Sequence, residues 1–228
     1  MDNLLLKYMN ERVRHATKKV VEPGPVITIS RECGCSGRLL AEKLTERINE
    51  KIDTPAKGWR WVSKEILNLA SEELKIQPDQ IREILKGDTK NFLDEIVFSF
   101  TDKYYVNNAK IKKVIGEMIW CIAVCGKAVI LGRGSEVVTN NIPRSLHIKL
   151  SAPLNWRIQV ISERNNILPE EAKKIIIKVD NQRLKFRDAF LEKDQAPIAY
   201  DIEFNCAKFS QEEIIYLIMK AADIKSFL

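Results

Sequence analysis

Apolar and polar positions along this chain switch between two periods, and the switches outline its elements. Val26-Ile-Thr-Ile-Ser30 is a β-branched run with no polar face, the pattern of a parallel strand covered on both sides. A loop of small residues follows. Leu40, Leu44 and Ile48 then recur on one stripe and predict a helix over 37–49. Ala128–Leu131 and Ser145–Leu150 repeat the buried-strand pattern, Trp59–Val62 predicts a short strand, and Tyr200–Phe204 the last one. Helical patterns fill the intervals: 2–20, with Leu5, Met9 and Val13 on one side; a broken stretch over 64–118, in which Gln77-Pro78-Asp79 opens one helix and Gly87 closes it; Trp120–Cys125; Leu154–Glu163; Pro169–Leu191; and Gln211–Ala222. Strands alternating with helices predict a parallel sheet with right-handed crossovers, and ligands of such sheets sit at the carboxyl ends of the strands. Ser30, Gly132 and the loop after Leu150 all fall there.

Length and composition narrow the class. The 228 residues, 45% hydrophobic and 30% charged, suit one α/β domain with insertions. A net charge of +6, spread along the chain, is either a solvated basic surface or an attraction to anions such as nucleotides or nucleic acid. No apolar run approaches the roughly 20 residues of a membrane span, and the start Met-Asp-Asn-Leu lacks a secretory pattern, so the expectation is a cytoplasmic protein with no membrane partner. Five cysteines without framework spacing agree with a reducing compartment. Cys121 and Cys125 read as core. Cys33 and Cys35 flank Gly34 with no second Cys/His pair to complete a zinc site, though a thiol beside a helix N-terminus can be reactive.

Three constellations can carry chemistry. The first is the loop after the first strand. On the frame of a phosphate-binding P-loop (Gly, four residues, Gly, Lys, Ser or Thr) it reads Glu32, Cys33-Gly34-Cys35-Ser36, Gly37, Arg38, Leu39. Glu32 replaces the first glycine, Arg38 the lysine, and Leu39 the hydroxyl that would bind Mg²⁺. Small residues let backbone N–H groups approach an anion, and the following helix adds its dipole. The alternative is a tight strand-to-helix turn with an exposed arginine. The second is Gly132-Arg133-Gly134, where Arg133 can grip a phosphate bidentately or simply occupy a surface turn. The third is helical: Asp180, Arg183 and Arg187 share one face, as do Arg157 and Arg164. Solvated ion pairs worth a few tenths of a kcal/mol would give the same spacing. His15 and His147 complete no triad. Trp59 and Trp61 either stack on a base or pack in the core.

Taken in order, these segments resemble the cytidylate kinase-like proteins, a branch of the P-loop nucleoside monophosphate kinases. Val26–Arg38, Ala128–Gly134, Leu146–Arg157, and Tyr200–Asn205 with Ser210-Gln-Glu-Glu213 carry the resemblance, which spans roughly Pro25 to Lys220. It implies a three-layer P-loop kinase fold, with a parallel sheet of about five strands, a helical monophosphate-binding insertion over 63–118 and a helical lid over about 163–195. The domain would run over 25–228 behind an N-terminal helical arm over 1–24. The backbone of Cys33, Gly34, Cys35, Ser36, Gly37 and Arg38 would wrap the phosphates of ATP, with Arg38 in the lysine's place. Arg133, Asp180 and Arg183 would bind the acceptor, Arg157 would enter from the lid as a catalytic cation, and Glu32 is the candidate for Mg²⁺. The implied function is phosphorylation of CMP or dCMP to the diphosphate, with nucleotides rather than nucleic acid as partners and the N-terminal helix as a surface for homo-oligomers. The alternative is a non-catalytic nucleotide-binding protein that acts as a sensor or through a partner.

Overall fold

A computed structural model of the protein describes residues 23–52, 58–74, 108–191 and 198–228. The expected helices over 2–20 and between Gln77 and Gly87, and the end of the lid past 191, lie outside the described residues. The elements are β1 (Val26–Arg31), α1 (Gly37–Ile52), β2 (Arg60–Val62), α2 (Lys64–Leu74), α3 (Asn108–Cys125), β3 (Ala128–Leu131), α4 (Ser135–Val138), β4 (Ser145–Ser151), α5 (Leu154–Asn165), α6 (Pro169–Asp188), β5 (Ile202–Asn205) and α7 (Gln211–Ile224).

The five strands form one sheet in the order β2-β3-β1-β4-β5, and every pairing is parallel. Successive side chains of a strand point to opposite faces, so β1 splits its run between two cores. Ile27 and Ile29, with Val129 and Leu131 of β3 and Leu146, Ile148 and Leu150 of β4, pack under α1 and α7. Val26, Ala128 and Ile130 pack under α2 and α3, whose Ile66, Ala70, Ile111, Ile115, Ile119 and Ile122 are buried. The result is the three-layer arrangement that the family resemblance implies, around the parallel sheet that the chain's pattern predicts. A capping box at Ser210 and Glu213 starts α7. Among the described residues no helix is long and apolar enough to cross a membrane.

Helices α5 and α6 form a hairpin with its own small core of Ile161, Ala172 and Ile176, into which the loop residue Cys33 inserts. β5 begins at Ile202, two residues later than expected, and the Tyr200 hydroxyl donates to Glu136 Oε1 at 3.2 Å. His147 is buried on β4 and both ring nitrogens are occupied, by the hydroxyls of Thr28 (2.8 Å) and Ser145 (3.2 Å). That arrangement gives His147 a structural role.

Candidate functional site

The carboxyl ends of β1, β3 and β4 surround a cavity of about 390 Å³. β1 contributes Ser30 and Arg31, followed by Glu32. The turn after β3 contributes Gly132, Arg133 and Gly134, and β4 contributes Lys149. Helix α6 lies across the opening and turns Asp180, Arg183 and Arg187 inward, while Tyr200 and Glu136 line it from the β5 side and from α4.

The loop between β1 and α1 is short and tightly held. Cys33 and Cys35 are buried, and Gly34 takes φ +100°, a left-handed conformation that suits glycine. The Cys35 N–H donates to the Glu32 carbonyl (3.2 Å) and the Gly37 N–H to the Cys35 carbonyl (2.8 Å). The N–H groups of Gly34, Ser36 and Arg38 have no backbone acceptor among the described residues. Those three donors, at the start of a sixteen-residue helix, are what the loop offers an anion. Neither loop thiol is activated. Burial pushes Cys33 up, and Cys35 keeps its proton because it hydrogen-bonds Cys206 and is itself buried.

The hairpin is latched to this loop. Asp180 Oδ1 accepts the Cys33 N–H at 2.7 Å, and Arg183 Nη1 donates to the Arg31 carbonyl at 3.0 Å. Arg157, at the start of α5, is 8% exposed and does not line the cavity. Its Nε donates to the Ala152 carbonyl (3.0 Å), its Nη1 to the Cys33 carbonyl (3.3 Å) and Asp180 Oδ2 (2.5 Å), and Glu32 Oε2 lies 3.3 Å from Nε. The structure therefore places Arg157 behind the loop, as the cation that binds loop and hairpin together. Glu32 is committed in the same way, since its Oε2 also accepts the Ala152 N–H at 3.1 Å. Arg164 reaches the loop from its other side and donates to the Ser36 hydroxyl at 3.2 Å.

Arg38 is exposed, with its guanidinium 5.9 Å from the Trp61 ring centre, and it is absent from the cavity wall. Leu39, at the hydroxyl position of the motif, is 45% exposed. Trp59 is buried in the core under α1, so neither tryptophan stands in the cavity. Arg133 holds φ +66° and lies 5.9 Å from the Phe186 ring centre. Gly134 is small for a reason: a Cβ there would stand 2.7 Å from Phe190 Cδ2.

Two site residues escape sequence reasoning. Arg31 directly follows the strand predicted to end at Ser30 and carries no assigned role in the sequence reading. Glu136, in Ser-Glu-Val-Val, falls where the sequence predicts no element, yet it is 2% exposed, and its Oε2 is buried with no hydrogen-bond partner. The signal for both is tertiary: Arg31 is the last residue of β1, and Glu136 lies in the short helix that follows β3. Among the described residues no three of His, Cys, Asp and Glu cluster as a metal-binding group.

A parallel 2-3-1-4-5 sheet with a small-residue loop joining its central strand to a helix, and arginines converging at the strand ends, defines a P-loop kinase-like protein. The chain belongs to the cytidylate kinase-like family, whose model matches residues 26–208. Membership supports a kinase-like fold and nucleotide binding in general. Among solved structures the chain is similar to the crystal structure of an uncharacterized protein from Eubacterium ventriosum. The TM-score is 0.56 at 20% identity, covering 87% of this chain and 97% of that one, and the likeness is one of fold. No curated protein matches the chain.

Proposed function

We propose that this protein transfers the γ-phosphoryl group of ATP, with Mg²⁺, to a nucleoside monophosphate, CMP or dCMP first among them. One observation carries the reading: a cavity at the strand ends in which Arg133, Arg183 and Arg187 converge, lined by Ser30, Arg31 and Glu32, after which the chain runs into a loop whose Gly34, Ser36 and Arg38 N–H groups have no backbone acceptor among the described residues. In the reaction an oxygen of the acceptor's phosphate bonds the γ-phosphorus, the bond to the β-phosphate oxygen breaks, and ADP leaves. Such transfer needs alignment and cationic charge on the equatorial oxygens more than covalent help. The backbone of 33–38 would take the donor's phosphates, Arg133 and Arg183 the acceptor's, and Asp180, held by Arg157, would fix the height of α6 above them. Mg²⁺ would neutralise phosphate charge. Of the three carboxylates lining the cavity, Glu32 and Asp180 are engaged, and Glu136 presents the unpartnered hard oxygen that suits that ion beside phosphates and water.

A second reading, nucleotide binding without transfer, is favoured by the loop itself, where Asp180 already occupies the Cys33 N–H and Leu39 replaces the hydroxyl. ADP formation with CMP, dCMP, UMP, AMP and GMP, with and without Mg²⁺, separates the two. Mg²⁺-dependent transfer to any of them supports the kinase. ATP binding with no transfer to any supports the sensor.

A further inference from the structure

Arg31 is held in a slot made by two glycines. A Cβ on Gly37, in the loop, would stand 3.2 Å from Arg31 Cγ, and one on Gly132, in the turn after β3, would stand 2.1 Å from Arg31 Nη1. With φ +69° as well, Gly132 admits no side chain while Arg31 keeps its place. The guanidinium thus lies in the wall of the cavity between the two segments that sequence reading marked as phosphate sites. Its surroundings suit a cation badly. Burial, then Arg183 and Arg133, push it down to about 9, so it is still charged at neutral pH and carries that charge against like charges. Among the described residues Arg31 forms no ion pair. Glu136 faces it, but not within ion-pair distance, and has one oxygen bonded to Tyr200. A desolvated, unpaired cation is unfavourable until an anion meets it.

We propose that Arg31 is the side chain that grips the ligand's phosphoryl group, together with Arg133 and Arg183, in the part that the loop's own Arg38 does not reach. The ligand is a phosphate ester or polyphosphate with at least two negative charges. Of the five cations lining the cavity, Lys149 pairs with Glu203, Arg187 with Asp188 and Arg183 with Asp180, and two of its three carboxylates, Glu32 and Asp180, are matched by Arg157, so among the described residues no carboxylate stands within ion-pair distance of Arg31. The inference rests on the kinase reading only for the ligand's identity. The grip on the anion stands without transfer.

The test is calorimetric titration of the full chain with inorganic pyrophosphate and with ATP, alongside thermal unfolding, for wild type, Arg31→Met, Arg31→Lys, Gly132→Ala and Arg38→Ala. Arg31→Met is expected to lose about tenfold or more in pyrophosphate affinity, while its ligand-free midpoint stays at or above that of wild type because a half-buried charge crowded by Arg183 and Arg133 is gone. Arg31→Lys should retain part of the affinity. Gly132→Ala, whose Cβ would stand where the Arg31 guanidinium lies, should lose affinity as Arg31→Met does, and Arg38→Ala should lose less than either. Pyrophosphate affinity within about twofold of wild type in Arg31→Met, or a larger loss in Arg38→Ala than in Arg31→Met, overturns the assignment. Should Arg31→Met fail to fold, the ranking of Arg31→Lys and Gly132→Ala against Arg38→Ala decides in the same way. Absence of transfer to any monophosphate would remove the kinase reading and leave this result untouched.

Discussion

Asp180, on the helix that covers the cavity, accepts the backbone N–H of Cys33 at 2.7 Å, so a carboxylate from the covering helix holds a donor of the phosphate-loop frame. Its other oxygen is the partner of buried Arg157. Asp180→Asn keeps the shape and removes the charge, leaving Arg157 to Glu32 alone. The expected outcome is a loss of about 1–3 kcal/mol in unfolding free energy, the scale of a charged hydrogen bond left incomplete. Urea denaturation reads it, and an unchanged midpoint would show that the charge of Asp180 holds nothing together.

Arg157→Ala should be more disruptive. Removing one partner of a fully buried pair costs about 3–5 kcal/mol, and the side chains of Asp180 and Glu32 keep 21% and 31% exposure, which lowers the expected loss to about 2–3 kcal/mol. Because Arg157 also holds the Cys33 carbonyl, ATP affinity should fall together with stability. A variant that unfolds normally and binds ATP normally, yet turns over slowly, would instead place Arg157 at the reacting phosphoryl group.

Gly134→Ala sets a methyl group against the Phe190 ring at a residue with φ +65°. Overpacking and left-handed strain together are expected to cost about 2–4 kcal/mol. Arg133 precedes this position and lies over Phe186, which packs on Phe190 at 5.5 Å between ring centres, so anion affinity should drop as well. Thermal unfolding and pyrophosphate titration of the same preparation check both effects.

Acid should weaken the fold through His147. Burial holds its pKa below the ordinary value of 6.5, with Asp201 and Glu136 opposing and Lys225 adding to the shift. Below 6.5 the unfolded chain therefore binds a proton that the folded chain refuses, and unfolding free energy falls from there down to the folded pKa. His147→Gln should flatten that part of a stability profile measured from about pH 7.5 to about pH 5.5. A slope equal to that of wild type would assign the acid sensitivity to other groups.

The strands β1 and β3 were legible as short apolar runs covered on both faces and β4 by its alternating Leu146, Ile148 and Leu150, and the stripe of Leu40, Leu44 and Ile48 is buried as its period predicts. Helix α4 escaped because four residues carry no period. The loop's position was readable from its small residues. The orientation of its charges was not. Arg38 matches the lysine by count along the chain, yet the first turn of α1 directs it over Trp61. Arg157 and Asp180, which spacing assigns to two separate helix faces, meet only because α5 and α6 pack as a hairpin on Cys33. Sequence distance cannot report such convergence, since the partners lie 23 and 147 residues apart.

The insertion of Cys33 into the small apolar core of the α5–α6 hairpin bears on how fast a ligand can leave. A flap hinged away from its site would release its contents and leave the binding loop intact. Here the flap's core includes a residue of the loop, so swinging the hairpin aside withdraws Cys33 from Ile161, Ala172 and Ile176 and breaks the bond to Asp180 in the same motion. Exit and dismantling of the loop are then one event with one barrier. The residence time of a bound nucleotide should therefore follow the packing of three aliphatic side chains that never touch it.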